Sequence, residues 1–196
     1  MDRIKDFKPA EINAKTLVEK ITQYVPNPRY RHDKFSKMAV AEAIEAAKEE
    51  NIGVGGTVIN KGKPSFSDHN RQFIPYFRSD FHAEMVLLNL LEDQLRDEKS
   101  PYNGDYQLIS SQEPCPMCML RLITSGIGEI LYVYRDESNP DQGDVMSLER
   151  LPPVWGELVQ RQYIGEADCS PELKKMARQA FLLSASPAAE KILKRR

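Results

Sequence analysis

Residues 105–136 read DYQLISSQEPCPMCMLRLITSGIGEILYVYRD. The stretch begins with a short apolar run, passes through a proline into residues whose apolar members recur three and four apart, and closes on a β-branched and aromatic run. Its pattern predicts a strand at DYQLISS, a helix over PCPMCMLRLITSG opened by proline and ended by Gly126, and a second strand at IGEILYVYRD. Strands alternating with helices imply an α/β domain in which helices cover the sheet.

The flanking sequence extends this pattern. From His82, the run HAEMVLLNLLEDQLRDEK turns Met85, Leu88 and Leu91 to one helical face, read as core positions, before the SPYNGD turn. GVGGTVINKGKPSFS carries an Asn-Lys-Gly turn at 60–62 and predicts a hairpin at the sheet edge. KFSKMAVAEAIEAAKEEN predicts a core-facing helix with Met38, Ala41, Ile44 and Ala47 turned inward and Asn51 at its end. AEINAKTLVEKITQY predicts an N-terminal helix with Ile12, Leu17, Val18 and Ile21 near one face, stopped by the prolines of VPNPRY. Beyond Asn139 the signal thins to a strand near QRQYIG and a helix over SPELKKMARQAFLL.

At 196 residues, with 41% hydrophobic and 29% charged residues, the chain has the length and composition of one ordinary globular domain. There is no apolar run of 18 residues and no secretory leader at the start, so a cytoplasmic location and no membrane partner are expected. A formal net charge of −2 gives no general attraction to polyanions and favours small substrates. Three cysteines cannot build a disulfide framework. Two of them, Cys115 and Cys118, stand at a spacing suited to metal or redox chemistry, and Cys169 is left over.

His82 and Glu84 lie two apart at the start of one predicted helix, and Cys115 and Cys118 at the start of another. Residues at i and i+3 share a helix face, so both sulfurs can reach one ion, and a helix N-terminus favours thiolates. Three protein ligands leave the fourth tetrahedral position of zinc open, as hydrolysis requires, whereas a structural zinc site fills all four. Hydrolysis also requires a proton delivered to the leaving group, and Glu84 is placed to carry it. His-x-Glu followed by Pro-Cys-x-x-Cys is the signature of zinc deaminases, with the glutamate as acid and base rather than ligand. Here it reads His82-Ala83-Glu84 and Pro114-Cys115-Pro116-Met117-Cys118.

On these motifs, and on the stretch SSQEPCPMC, the chain resembles the cytidine deaminase-like superfamily, in particular its branch of guanine deaminases, cytosine deaminases and tRNA adenosine deaminases. The resemblance runs from about Lys34 to Asp136. It implies a three-layer α-β-α fold with a mixed central sheet, a zinc ion held by His82, Cys115 and Cys118, Glu84 as proton shuttle, and a homodimer. It also makes Asn70 a candidate for hydrogen-bonding the substrate. The corresponding division of the chain is an N-terminal helical extension (1–33), a deaminase domain (34–170) and a C-terminal helical extension (171–196).

The expected reaction is hydrolytic deamination of a nucleobase, nucleoside or related amino-heterocycle, of guanine or cytosine type, with release of ammonia. The alternatives are deamination of the wobble adenosine of tRNA and, from another class, a catalytically inactive zinc-binding module. Phe73, Tyr76, Phe77 and Phe81 either stack on a planar base or anchor their loop to the core. Arg29, Arg31, Lys34 and Lys37, with Tyr30 and Phe35, read as a solvated face more readily than as an RNA patch. Asp136, Glu137 and Asp141 read as a polar turn or a second substrate contact. His32 and His69 lie outside any motif and read as ordinary surface or core residues.

Overall fold

The computed structural model describes residues 13–97, 104–135 and 152–195. The described residues open with α1 (Ala14–Gln23), capped by the Asn13 side chain accepting the Lys15 N–H at 2.8 Å, and α2 (Asp33–Lys48). The hairpin of β1 (Gly55–Asn60) and β2 (Lys63–His69) follows. Lys61 and Gly62 take φ of 48° and 74° in its two-residue turn, the left-handed pair that matches the twist of adjoining strands. Next come α3 (Ala83–Asp97), β3 (Tyr106–Gln112), α4 (Pro116–Ser125) and β4 (Glu129–Tyr134). Gly126 ends α4 at φ 79°, a conformation that suits glycine. The chain continues with α5 (Pro153–Val159), which the sequence reading did not anticipate, β5 (Tyr163–Glu166) and α6 (Pro171–Leu193). Among the described residues no helix is long and apolar enough to cross a membrane.

Among the described residues five strands form one mixed sheet in the order β2-β1-β3-β4-β5. β1 runs antiparallel to both β2 and β3, while β3, β4 and β5 are mutually parallel. Alternation along the strands sends Val58, Leu108 and Ile130 to one face and Ile59, Ile109 and Leu131 to the other. The first face packs on α3 and α4 through Leu87, Leu88, Leu91 and Leu122, and the second on α1, α2 and α6 through Leu17, Val40, Ile44, Leu173 and Met176. Helices therefore cover both faces, giving the expected three layers. Met85, Leu88 and Leu91 are buried as expected.

The inward face of α2 differs from its expected phase. Ile44 is buried as expected, but Met38, Ala41 and Ala47 are half-buried, and the helix also buries Ser36, Ala39, Val40, Ala43 and Ala46. The reason is the close approach of α2 to β1: a Cβ on Gly55 would lie 2.4 Å from both the Ala43 nitrogen and the Glu42 Cβ. Small side chains are selected where helix and strand come that close, and an alanine-rich sequence offers more than one face that qualifies. α6 likewise runs further than expected, passing Pro187 to reach Leu193.

Candidate active site

The two motifs meet at the carboxyl end of β3, between the starting turns of α3 and α4. His82 immediately precedes α3, its carbonyl accepting the Val86 N–H at 3.0 Å, and Glu84 sits in the first turn of that helix. Cys115 caps α4 with Pro116 at the first helical position, where proline's missing donor costs nothing, and the Cys115 carbonyl accepts the Met119 N–H at 2.9 Å. One helical turn later Cys118 is fully buried. Two helix N-termini, with their partial positive charge, converge where thiolates and a carboxylate gather.

The donor atoms fit a tetrahedral zinc ion. Cys115 Sγ lies 3.5 Å from His82 Nδ1 and 3.6 Å from Cys118 Sγ, and one donor atom from each of the three residues lies within 4.8 Å of the others. Zinc bound to imidazole and thiolate at its usual bond lengths places these atoms roughly 3.6 Å (N···S) and 3.8 Å (S···S) apart. The Cys118 thiol facing Cys115, and then the His82 ring, hold the Cys115 thiol down at about 4, so this sulfur is ready to act as a ligand. Burial works against a charged His82, but the Cys115 sulfur beside it prevails and raises the imidazole.

Glu84 is buried, and burial raises its carboxyl above the ordinary range against the counter-effect of Ser110, whose Oγ donates to Glu84 Oε1 at 2.7 Å. Ser110 lies on β3, so sheet and helix fix this carboxyl together. A cavity of about 160 Å³ opens onto His82, Glu84 and Cys115 and is lined also by Ile52, Val54, Asn70, Gln112, Glu113 and Phe181. Asn70 thus reaches the same cavity as the metal motif. Its Oδ1 accepts the Gln72 N–H at 2.9 Å, which turns the amide NH₂ to other uses.

Other residues that line the cavity carry no motif in the sequence. Phe181, from α6, is the aromatic ring that lines the cavity, and it stands 66 positions beyond Cys115 with no motif around it. Ile52 and Val54 likewise carried no signal, whereas Gln112 and Glu113 directly precede Pro114-Cys115. Phe73, Tyr76, Phe77 and Phe81 do not line the cavity. Phe73 and Phe77 pack at 5.9 Å with their planes tilted by 44°, and Lys191, Arg195 and Arg78 stand over Phe73, Phe77 and Phe81.

The remaining sequence candidates lie elsewhere. His32 is buried, its Nδ1 accepting the Asp168 N–H at 2.9 Å. His69 is buried with Nδ1 at 2.7 Å from Glu42 and Nε2 at 3.0 Å from Glu49. Glu42, Asp68 and His69 form a second group with metal-ligand chemistry among the described residues, but these ring nitrogens face carboxylates and Asp68 holds Arg71, which makes the group an ion-pair cluster. Cys169 is buried in the α1, α2 and α6 layer, and burial pushes its thiol up to about 11. Lys37 donates to the Tyr24 carbonyl at 2.7 Å and Arg31 approaches Glu129 at 3.8 Å, so these two cations serve the fold. Asp136, Glu137 and Asp141 lie outside the described residues.

Comparison with known proteins agrees with this geometry. The model of the cytidine and deoxycytidylate deaminase zinc-binding region matches residues 29–134. A tRNA(Ile)-lysidine synthase of Deinococcus radiodurans is 29% identical over 119 residues, 60% of this chain, and the match spans only 19% of that protein's length. A tRNA-specific adenosine deaminase of Bacillus subtilis is 25% identical over 119 residues, covering 58% of this chain and 68% of that one. The structure of a guanine deaminase from Nitrosomonas europaea superposes with a TM-score of 0.54 at 19% identity, covering 84% of this chain and 91% of that one. A tRNA:A34 deaminase structure gives a TM-score of 0.54 at 18% identity over 68% of this chain and 97% of that one. At such identities the two structures speak to the fold. With the family model spanning more than half of its length and a donor set that fits zinc, the chain belongs to the cytidine and deoxycytidylate deaminase zinc-binding family.

Proposed function

We propose that the protein is a zinc-dependent hydrolytic deaminase of a free amino-heterocycle of the guanine or cytosine type. The observation that carries this reading is the meeting of the His82, Cys115 and Cys118 donors with a buried Glu84, hydrogen-bonded to Ser110, beside a cavity of about 160 Å³ that His82, Glu84 and Cys115 line. Zinc, when bound, supplies the Lewis acidity that lets water act as a nucleophile near neutral pH.

The chain's own residues do the rest. Water adds to the ring carbon that bears the amine, the C–N bond breaks, and the products are the oxo-heterocycle and ammonia. Glu84 takes the proton that water gives up and returns it to the departing nitrogen. A carboxyl raised by burial suits a group that must hold that proton between the two transfers. Ser110 keeps one carboxyl oxygen oriented. Ile52, Val54 and Phe181 offer apolar surface to the faces of a planar ring, and the Asn70 amide offers a donor to its edge.

The near-neutral charge of the chain, a formal −2 with no general attraction to a polyanion, favours a free base over a base carried on RNA. The tRNA reading is kept by the Bacillus subtilis relative, whose name is tRNA-specific adenosine deaminase. An inactive zinc module has no use for a buried carboxylate facing the cavity. Ammonia release measured over guanine, cytosine, adenine, their nucleosides and tRNA decides among the three. Turnover confined to tRNA overturns the free-base reading, and a zinc-loaded protein that deaminates nothing supports the inactive module.

A further inference from the structure

The segment between Asn70 and His82 joins two cavity-lining residues, so its position sets one side of the cavity mouth. It is closed at its base by the Arg71 N–H donating to the Phe81 carbonyl at 2.9 Å, and pinned once more by Asn51 Oδ1, which accepts the Phe73 and Ile74 N–H groups at 2.8 and 3.0 Å. Its apolar side chains do not enter the core: Ile74 and Tyr76 are exposed, and neither Phe73 nor Phe77 joins the two apolar layers. The two phenylalanine rings are held from outside. Lys191 Nζ stands 5.1 Å from the Phe73 ring centre while donating to the Glu50 carbonyl at 3.0 Å, and the Arg195 guanidinium stands 3.8 Å from that of Phe77.

These cations continue a stripe of α6 that already touches the site. Phe181 lines the cavity, and Ser184 Oγ accepts the Gly53 N–H at 2.6 Å between the cavity residues Ile52 and Val54. Positions 181, 184, 191 and 195 recur at helical spacing, the last in the turn that closes the helix. At Gly53 a Cβ would lie 2.1 Å from the Ala180 carbonyl oxygen, so α6 is seated on the 50–54 segment at backbone distance and cannot slide while that contact lasts.

From this arrangement we propose that Lys191 and Arg195 are positioning residues for the candidate site: they latch the Phe73 and Phe77 rings and so hold the 71–81 segment against the cavity. Neither touches a reacting group. A cation over a half-buried ring shifts the open–closed equilibrium by a factor of about 2 to 5, so loss of both contacts shifts it toward the open segment by about 4- to 25-fold. The effect on catalysis is on capture of substrate rather than on chemistry, and that part rests on the function proposed above.

The test compares the zinc-loaded parent with a Lys191→Gln/Arg195→Gln double variant. Amide hydrogen exchange at residues 72–78 should quicken by about 4- to 25-fold, with β1, β3 and α3 unchanged, while KM rises by a similar factor and kcat stays within about twofold. Phe73→Leu/Phe77→Leu should reproduce both effects, and combining the two pairs should add little, because each removes the same contacts. Unchanged exchange at 72–78, fully additive pairs, or faster exchange with KM untouched would each overturn the proposal. If no heterocycle is turned over at all, the proposed function fails while the exchange measurement still decides the latch.

Discussion

The floor and the roof of the cavity are built in different ways. The floor, made by the first turns of α3 and α4 and the end of β3, is local: its His, Glu and two Cys sit within three residues of a helix start, and their polar groups have defined partners at 2.7 to 3.6 Å. The roof brings Ile52, Val54 and Phe181 together from separate parts of the chain through a serine and one tight glycine, and the neighbouring 71–81 segment meets α6 through two cation–ring contacts. Directional bonds to a metal tolerate little displacement. Dispersion and cation–ring contacts tolerate more, so the roof has room to vary where the floor does not.

The sharpest way to break this contrast is at the floor. Cys118→Ala removes a fully buried sulfur facing Cys115, so zinc should be lost, activity should fall below detection and thermal stability should drop, because metal binding and folding are coupled. Metal analysis alongside a thermal melt reads both, and a variant that retains zinc and activity removes Cys118 from the ligand set.

Glu84→Gln comes next. The amide keeps the size of the side chain and a possible bond to Ser110, so zinc should stay, while kcat should fall by about 10²- to 10⁴-fold. Near-normal turnover would place the proton transfer on another group, and loss of zinc would make Glu84 part of the metal shell.

At the roof, effects should be smaller and of another kind. Phe181→Ala should raise KM by roughly 5- to 150-fold, the range that ring stacking on a base supports, with a smaller change in kcat. A loss confined to kcat would mean that Phe181 orders the chemistry rather than holding the ring, and the contrast between floor and roof would weaken.

The smallest effect concerns neither surface but the seat of the hairpin on α2, where His69 lies between Glu42 and Glu49. Burial lowers its affinity for a proton, but the hydrogen bonds to both glutamates outweigh that and leave the imidazole raised above 6.5 in the folded protein. A raised folded value means that the stabilisation is fully present below the unfolded value near 6.5 and disappears as pH climbs through the folded one. His69→Gln should therefore cost about 1–2 kcal/mol at pH 6 and much less at pH 9, read by chemical denaturation. An equal cost at both pH values would show that His69 acts through packing alone.

Much of the floor was legible because its residues obey short-range rules. The i, i+3 spacing of Cys115 and Cys118, the proline at the helix start and the His-x-Glu pair need only a helix to become a site. The strand-helix-strand run at 105–136 supplied that helix, and β3, α4 and β4 formed where the apolar periods placed them. The inward face of α2 is not legible in its sequence, because alanines carry little directional signal and the close approach of Gly55 on β1 decides it. The aromatic segment drew attention as a possible stacking platform, but its rings were answered by Lys191 and Arg195, more than a hundred residues away.

The sequence by itself determined which side chains can hold zinc and that helices cover both faces of a sheet, and it placed Glu84 beside those ligands. Those features depend on neighbours within a few positions, where backbone geometry makes spacing a reliable guide to distance. Only the tertiary structure decided what faces that chemistry. That Phe181 rather than Phe77 or Phe81 lines the cavity follows from where α6 comes to rest, and this is set by the backbone contact at Gly53 and by burial of Leu173, Met176 and Ala180 against α2 and the sheet. Non-directional packing between distant segments leaves no periodic trace near the residues it brings together.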